Sequence, residues 1–221
     1  MKIGGLQPFT VSDFPGRTAA IVFTQGCNFH CPFCHNGLLL PLDGAALISE
    51  HEVFSFLKIR RSLLDGVVIS GGEPCLQDDL PGFCRTIKEM GFGVKLDTNG
   101  SRPQMLEKLL AENLVDFIAM DIKAPLSRLK TLTGTGLHGP QIQQSIAIIA
   151  NSSVKHLFRT TDVTLLLSAD DHRMIKEMVP AGSPHLVQPF VAENALSPAL
   201  RKHCKQMQGG IQAYRTAARA A

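Results

Sequence analysis

The stretch AAIVFTQGCNFHCPFC, residues 19–34, joins an apolar run to three closely spaced cysteines. Its first five residues are apolar and include β-branched and aromatic side chains, which is typical of a buried strand. Cys27, Cys31 and Cys34 follow at the spacing C-x3-C-x2-C. Three thiolates on one loop can hold a four-iron four-sulfur cluster and leave one iron open to a ligand. Because open coordination is typical of catalytic metal centres, the stretch predicts chemistry at a cluster.

Simpler interpretations of the cysteines remain open. Zinc could take the three thiolates with His30 or His35 as a fourth ligand, and the thiols could also be free of metal. A disulfide framework is disfavoured, because six cysteines in 221 residues are sparse and nothing at the N-terminus reads as a secretory signal. Cys84 and Cys204 lie with apolar residues at helical spacing, which predicts core packing. Cys75, which follows a Gly-Gly-Glu-Pro motif, is expected to be a non-ligand.

Composition limits the size and class of the protein. A chain of 221 residues with 44% apolar content can bury one sizeable core. We therefore expect a single domain over residues 1–221, with its core at about 16–190 and a C-terminal helical tail at 197–221. No apolar run reaches membrane-spanning length, so a soluble cytoplasmic protein is expected. A net charge of +3, the absence of Trp and a single Tyr disfavour nucleic acid as a partner.

Short β-rich runs alternate with amphipathic stretches, which is typical of a parallel sheet built from βα units. The predicted strands are residues 18–24, 66–70, 93–97, 115–121, 156–163 and 185–190. The predicted helices are residues 50–64, 79–90, 103–112, 140–150 and 171–178. Ser197 before Pro198 predicts the start of a final helix. Six such units predict an α/β fold, an incomplete (β/α)6 barrel of parallel strands, because a full eight-unit barrel typically needs about 250 residues.

Polar residues and glycines occur where each predicted strand ends. They are Cys27, Gly71, Gly72, Glu73, Asp97, Thr98, Asn99, Asp121, Lys123, Arg159 and Gln188. Each group alone has a structural interpretation, since Gly-Gly and Asn-Gly make turns and Asp or Thr caps helices. Ligands bind at the carboxyl edge of parallel α/β sheets. Six such strand ends on one rim therefore predict a binding site.

Four segments resemble the radical S-adenosylmethionine superfamily. They are QGCNFHCPFCHN (25–36), SGGEP (70–74), LDTNG (96–100) and MDIK (120–123). Their order, and the Cys-His-Asn at the third cysteine, are similar to the activating enzymes of glycyl radical enzymes, and the resemblance spans residues 5–190. Three further segments and the short length most resemble the anaerobic ribonucleoside-triphosphate reductase activating proteins. These segments are DFPG (13–16), FRTT (158–161) and VQPF (187–190).

The resemblance implies that Cys27, Cys31 and Cys34 bind one four-iron four-sulfur cluster, whose open iron takes the amino and carboxylate groups of S-adenosylmethionine. An electron from a flavodoxin or ferredoxin type reductant would then release a 5′-deoxyadenosyl radical. That radical would abstract a hydrogen atom from one glycine of a partner glycyl radical enzyme. Residues 36–71 contain no cysteine, so further clusters are not expected.

The resemblance also implies contacts to the cofactor from the cluster loop and the turn after it. Phe33 would lie near the adenine, although a core aromatic is an open alternative. Gly71 and Gly72 would let the backbone approach the methionyl part, because no Cβ stands in the way. Glu73 would accept a hydrogen bond from the amino group.

Further contacts are implied on the next three strands. Asp97, Thr98 and Asp121 resemble residues that hold a monovalent cation beside the cofactor's carboxylate in the pyruvate formate-lyase branch, a role that suits oxygen ligands. Lys123 would add a positive charge near that carboxylate or the ribose, with a plain Asp121 ion pair as the open alternative. Arg159 would orient the cofactor or the incoming peptide.

Three functions are compatible with these features: an activase of a glycyl radical enzyme, a radical enzyme acting on a small molecule such as a pterin-derived precursor, and a non-catalytic cluster or zinc protein. Asp13, Pro15 and Gly16 favour the first, because they resemble a peptide-facing segment of the activases. We expect them to line the mouth of the barrel and contact the partner peptide. As bare sequence the segment is only a turn signal.

Overall fold

The computed structural model describes residues 1–136 and 138–202, in which a seven-stranded sheet is combined with helices. The strands are β1 Ile3–Thr10, β2 Ala19–Thr24, β3 Gly66–Gly71, β4 Gly93–Thr98, β5 Phe117–Asp121, β6 Lys155–Asp162 and β7 His185–Pro189. The helices are α1 Glu50–Ile59, α2 Leu80–Glu89, α3 Pro103–Ala111, α4 Leu129–Thr133, α5 Gly139–Asn151 and α6 Ala169–Met178. None of these helices is both long and apolar enough to cross a membrane.

The strands lie in chain order from β1 to β7, and β2 to β7 are all parallel. This arrangement confirms the six predicted strands and the incomplete barrel. The structure adds β1, which pairs antiparallel with β2 and was missed by the sequence prediction. Its sequence, IGGLQPFT, contains residues that are depleted in strands. An edge strand tolerates Pro8, whose missing N–H would otherwise leave a gap in the ladder.

Helix boundaries differ from the predictions for local reasons. The predicted helix 50–64 ends at Ile59, after which Arg60 carries the last helical hydrogen bonds and the chain turns towards β3. The predicted helix 171–178 begins two residues earlier, because Ser168 and Asp171 form a reciprocal capping box. The final helix starts as predicted after Ser197, whose Oγ accepts a hydrogen bond from the Leu200 N–H at 3.4 Å.

The predicted extent of the domain and its tail stays a prediction, because residues 203–221 lie outside the described residues. Cys204, predicted to pack in a core, is among them. Cys84 does occupy a core position: it is fully buried on α2 beside Leu80, Phe83 and Ile87, as its spacing predicted.

The inside of the barrel differs at its two ends. At the amino ends of the strands a small apolar cluster contains Phe14, Ile21 and Val68, and the ring of Phe14 meets Phe117 edge-on with centroids 6.4 Å apart. At the carboxyl ends the inward side chains are polar and charged. The apolar cluster closes one end, and the polar end is the candidate site.

Candidate active site

A cavity of about 440 Å³ lies at the carboxyl ends of the parallel strands. It brings together the three cluster-loop cysteines and every residue predicted to contact a cofactor. These are Cys27, Cys31, Cys34, Phe33, Gly71, Gly72, Glu73, Asp97, Thr98, Asp121, Lys123 and Arg159. The side chains come from positions more than a hundred residues apart, so the parallel sheet is what assembles them.

Backbone hydrogen bonds hold the cysteine loop at both of its ends. The Cys27 N–H donates to the Leu40 carbonyl at 3.1 Å, and the His30 N–H donates to the Thr133 carbonyl at the end of α4 at 2.8 Å. The segment after β7 holds the other end, since the Leu196 N–H donates to the Cys34 carbonyl at 2.8 Å. The loop is therefore fixed by elements from three parts of the chain.

An amide and hydroxyl network also ties the cysteine loop to the turn after β4. Asn99 Nδ2 donates to Asn28 Oδ1 at 3.0 Å, and Asn28 Nδ2 donates to Ser101 Oγ at 2.9 Å. His138 Nε2 lies 3.3 Å from Asn28 Nδ2. The sequence prediction missed Asn28, Ser101 and His138 as a group, because their contacts span more than 70 residues. The position of Asn28 between two predicted ligands was the available signal.

The cysteines differ in their exposure to solvent. Cys27 and Cys31 are buried, and Cys34 is half-buried. Burial raises the pKa of Cys27 to about 12 and that of Cys31 to about 11. Both groups are therefore neutral thiols near pH 7 until a metal displaces the proton.

The zinc alternative finds no compact ligand set among residues 1–136 and 138–202. No group of three or more His, Cys, Asp or Glu side chains there is arranged to hold a single metal ion. His30 is exposed, and the His35 ring stacks on Phe190 with centroids 5.8 Å apart. Cys75, expected to be a non-ligand, is buried in the 3-10 turn Pro74–Leu76 and does not line the cavity.

Glu73 lies at the centre of a buried network. Its Oε1 accepts hydrogen bonds from Thr98 Oγ1 at 2.7 Å and from the Cys75 N–H at 3.0 Å, and its Oε2 accepts one from the Asn99 N–H at 2.6 Å. Burial raises the pKa of the carboxyl group, and the hydrogen bonds from Asn99 and Thr98 oppose that shift. Three of about four acceptor positions are thus used, and the remaining one can accept a hydrogen bond from an amino group. That contact stays a prediction.

Gly71 and Gly72 sit where two backbones approach closely. A Cβ on Gly72 would lie 2.1 Å from the carbonyl oxygen of Gly26, the residue before the first cysteine. Gly71 has φ +110°, and a Cβ there would lie 2.4 Å from the Thr24 nitrogen. The prediction was that these glycines make room for a cofactor. The structure gives a more direct reason for glycine at both positions, which is the packing of the cysteine loop against the end of β3.

Five charged side chains form a connected cluster, and four of them line the cavity. Arg159 donates to both oxygens of Asp121, at 3.0 and 3.2 Å, and to Asp97 at 3.4 Å. Lys123 Nζ donates to Asp121 at 3.1 Å, and Lys95 Nζ forms an ion pair with Asp97. The Asp121–Lys123 ion pair considered from sequence therefore exists, as part of a larger network.

Lys95 is the member of this cluster that the sequence prediction missed. Its side chain is 4% exposed and lies on β4, two residues before Asp97. Residues two apart on a strand share a face. A lysine inside the otherwise apolar run GVKL, on the same face as a carboxylate, was the available signal.

The charges around Asp121 affect its ionisation. Burial alone would raise its pKa, but Arg159 and Lys123 outweigh burial and lower the pKa from 3.8 to about 2. A carboxyl whose pKa is lower in the folded state stabilises the fold above its unfolded pKa, and this contribution is lost as pH falls through the folded pKa.

We therefore expect roughly 2 kcal/mol of folding free energy to be lost through Asp121 as pH falls from about 4 to about 2. Urea unfolding of the wild type and of Asp121→Asn should show this. The difference in free energy of unfolding between them should be largest near neutral pH and shrink below pH ~4. A difference that stays constant down to pH ~2 would contradict the assignment.

The residues predicted to face a partner peptide lie in two different environments. Asp13 lines the cavity, and its carboxylate accepts a hydrogen bond from Ser12 Oγ at 3.0 Å. Pro15 and Gly16 are exposed and do not line the cavity. They form a tight turn before β2, closed by the Arg17 N–H donating to the Phe14 carbonyl at 3.0 Å, with Gly16 at φ +72°. This position is at the amino end of β2, so their contact with a peptide stays a prediction without support from their placement.

Comparison with known proteins identifies the family. Residues 21–181 match the family model described as the Radical SAM superfamily. The chain belongs to the radical SAM superfamily. This radical SAM chain is 32% identical over 205 residues to a protein of Methanocaldococcus jannaschii that is assigned by its name to the glycyl-radical enzyme activating enzymes, covering 90% of this chain and 84% of that one. It is 29% identical over 178 residues to the pyruvate formate-lyase-activating enzyme of Clostridium pasteurianum, covering 77% and 72%.

Solved structures share the fold. Streptococcus suis SuiB bound to its precursor peptide SuiA has a TM-score of 0.64 at 13% identity, covering 87% of this chain and 46% of SuiB. Native anSMEcpe with bound AdoMet has a TM-score of 0.55 at 16% identity, covering 76% of this chain and 49% of that one. This chain thus spans about half the length of each of these structures.

The cavity fits the cluster and the S-adenosylmethionine that radical SAM enzymes use. Three soft thiol donors suit iron–sulfur ligation, and they share one cavity with both charged and apolar surface. Phe33 is 4% exposed, belongs to the core and lines the cavity, and its contact with the adenine stays a prediction.

The monovalent cation implied by the resemblance does not fit in the same way. Asp97 and Asp121 are already paired with Lys95, Lys123 and Arg159. The Thr98 hydroxyl donates to Glu73. An additional cation would therefore meet three positive side chains at the carboxylates that were expected to bind it.

Proposed function

We propose that this radical SAM enzyme activates an anaerobic glycyl radical enzyme, specifically anaerobic ribonucleoside-triphosphate reductase, by abstracting a hydrogen atom from one of its glycines. Similarity to activating enzymes over nearly the whole chain supports an activase. The DFPG, FRTT and VQPF segments are the support for the narrower partner. The reaction requires low-potential electrons, so we propose a cytoplasmic setting and a flavodoxin or ferredoxin type reductant.

The observation that carries the proposal is the open side of the barrel. In the described sheet β1 and β7 are the two ends of the strand order and do not pair with each other. The cavity is lined by Gln7 on β1 and by Gln188 on β7, so it reaches both edge strands. A cavity that extends to an unclosed side of the sheet can admit an extended peptide. Both glutamine side chains offer amide donors and acceptors for a peptide backbone.

Each group of residues has a distinct role in this function. Cys27, Cys31 and Cys34 hold the cluster, which together with bound S-adenosylmethionine supplies the radical chemistry. The charged cluster with Lys123 and Arg159 orients the amino acid part of the cofactor, and the buried rings of Phe29 and Phe33 exclude water from one wall. Because the reacting glycine has to be held close to the radical, the geometry of the bound peptide should set the rate.

The test is to mix the reduced enzyme, S-adenosylmethionine and an anaerobic ribonucleotide reductase, and to record EPR spectra. We expect a glycyl doublet on the reductase and, after exposure to oxygen, cleavage of its chain at that glycine. The matched control is the reductase with the same glycine replaced by Ala, which should give no doublet. If the doublet is absent and a pterin-derived small molecule accelerates cofactor cleavage, the small-molecule function replaces this proposal.

A further inference from the structure

Lys95 is a buried cation that is neither a cluster ligand nor one of the residues predicted to contact the cofactor or the partner protein. Its side chain is 4% exposed and pairs with Asp97, whose side chain is 14% exposed. The Lys95 side chain does not line the cavity, whereas Asp97 does. Lys95 therefore acts on the cavity through Asp97. Burying an ammonium group costs free energy that its ion pair has to offset, so the position of Lys95 calls for an explanation.

All four carboxylate oxygens of Asp97 and Asp121 already have partners. Lys95 occupies Oδ1 of Asp97, and Oδ2 of Asp97 accepts from Ser70 Oγ at 3.3 Å and from Arg159 at 3.4 Å. Both oxygens of Asp121 accept from Arg159, at 3.0 and 3.2 Å, and Oδ2 also accepts from Lys123 at 3.1 Å. Each carboxylate thus uses three of about four acceptor positions, and a metal cation at the remaining one would lie beside a positively charged side chain.

The net charge of the cluster also disfavours an additional bound cation. Three cationic side chains against two carboxylates leave one positive charge without any bound ion. One net positive charge at the cavity attracts an anionic group such as an amino acid carboxylate and repels a further cation. Without Lys95 the same cluster would be neutral.

We propose that Lys95 is a positioning residue that takes the place of a bound monovalent cation, so that S-adenosylmethionine binding by this chain is independent of sodium and potassium. The ammonium group neutralises Asp97 from inside the barrel and leaves Arg159 and Lys123 to face the cofactor. This inference depends on the cofactor occupying the cavity, and it does not depend on which protein is the partner.

The first test compares cofactor affinity in choline chloride and in potassium or sodium chloride at equal ionic strength. Affinity is read from the change that S-adenosylmethionine causes in the EPR spectrum of the reduced cluster, so no turnover is needed. We expect the dissociation constants in the three salts to agree within about twofold. Equilibrium dialysis with radioactive rubidium, in the presence of S-adenosylmethionine, should show no stoichiometric binding to the loaded enzyme.

The second test removes the charge and keeps a side chain of similar length. Lys95→Met should bind S-adenosylmethionine about tenfold more weakly in choline, and potassium should restore the affinity because Asp97 is then free to bind it. Lys88→Met is the matched control. The Lys88 Nζ lies 2.6 Å from Asp116 Oδ1, and neither residue lines the cavity. Its loss should leave the cofactor affinity unchanged and independent of sodium and potassium.

A double variant keeps the inference testable if Lys95→Met alone fails to fold. Lys95→Met with Asp97→Asn removes both charges of the pair, so it should fold and show no response to potassium. The inference is overturned if the wild type binds one rubidium ion or gains affinity with potassium, or if Lys95→Met binds equally well in choline. A lasting loss of affinity that potassium does not restore would also overturn it. Because no partner protein is present, failure of the glycyl radical assay is a separate result.

Discussion

Replacing Cys27, Cys31 or Cys34 by Ala is expected to abolish cluster binding, so that iron and sulfide fall from about four each per chain to background after anaerobic reconstitution. The three thiolates would hold the cluster, and the other side chains on the cavity wall are harder donors that suit iron–sulfur clusters poorly. Formation of 5′-deoxyadenosine with dithionite and S-adenosylmethionine should be lost together with the iron. Metal analysis and product assays on the same samples provide the measurement.

The control for this prediction is Cys84→Ala. Cys84 is fully buried on α2 and packs against apolar neighbours, so its loss should lower stability slightly and leave the iron content unchanged. Cys75→Ala should behave in the same way, since Cys75 does not line the cavity. Cys204→Ala is expected to keep its iron too, a prediction that the described residues do not address. Zinc without iron in protein purified strictly without oxygen would contradict the cluster assignment.

Gly72→Val should reduce both cluster loading and stability. A Cβ on Gly72 would lie 2.1 Å from the Gly26 carbonyl oxygen and 3.1 Å from that of Leu39, so the backbone leading into Cys27 must move. Forcing extra atoms into a packed site costs roughly 1–3 kcal/mol or more. Iron content, thermal unfolding and cofactor affinity should be measured on one preparation, with Gly72→Ala as a smaller step in the same direction.

The structure changes what this substitution tests. The sequence alone predicted weaker cofactor binding with an intact cluster, because Gly72 was expected to face the cofactor. Gly82→Ala is the matched control: it lies on α2, where a Cβ would meet nothing within 4 Å, so it should load iron normally and be as stable as the parent or slightly more so. Full iron content and normal stability in Gly72→Val, combined with weak cofactor binding, would favour the original interpretation.

Most of the fold could be predicted because short-range sequence patterns indicate most of its strands and helices. Strands β2 to β5 are short, mainly apolar runs, and β6 and β7 are more polar but contain β-branched or aromatic residues. Five helices repeat their apolar residues at helical spacing. β1 could not be found in this way. Its glycines and proline oppose strand formation locally, and only pairing with β2 supplies the hydrogen bonds that make it a strand.

The site shows the same division. Cysteine spacing and the rule that ligands bind at the carboxyl edge of a parallel sheet nominated eleven of the twelve residues, and the family resemblance added Phe33; all twelve line one cavity. The prediction that Pro15 and Gly16 would line the mouth of the barrel rested on the resemblance of their segment to the activases. A tight turn places both residues at the amino end of β2, and neither lines the cavity.

The sequence by itself determined which residues are candidates for the chemistry, because ligand spacing within one loop and polar residues at strand ends are properties of neighbouring positions. Only the tertiary structure decided how those residues are paired. Glu73 is engaged by the turn after β4, Gly72 packs against Gly26, and Lys95 neutralises Asp97 inside the barrel. These contacts depend on strand register and on the close approach of backbones, to which distant segments contribute equally. A single stretch of sequence does not contain that information.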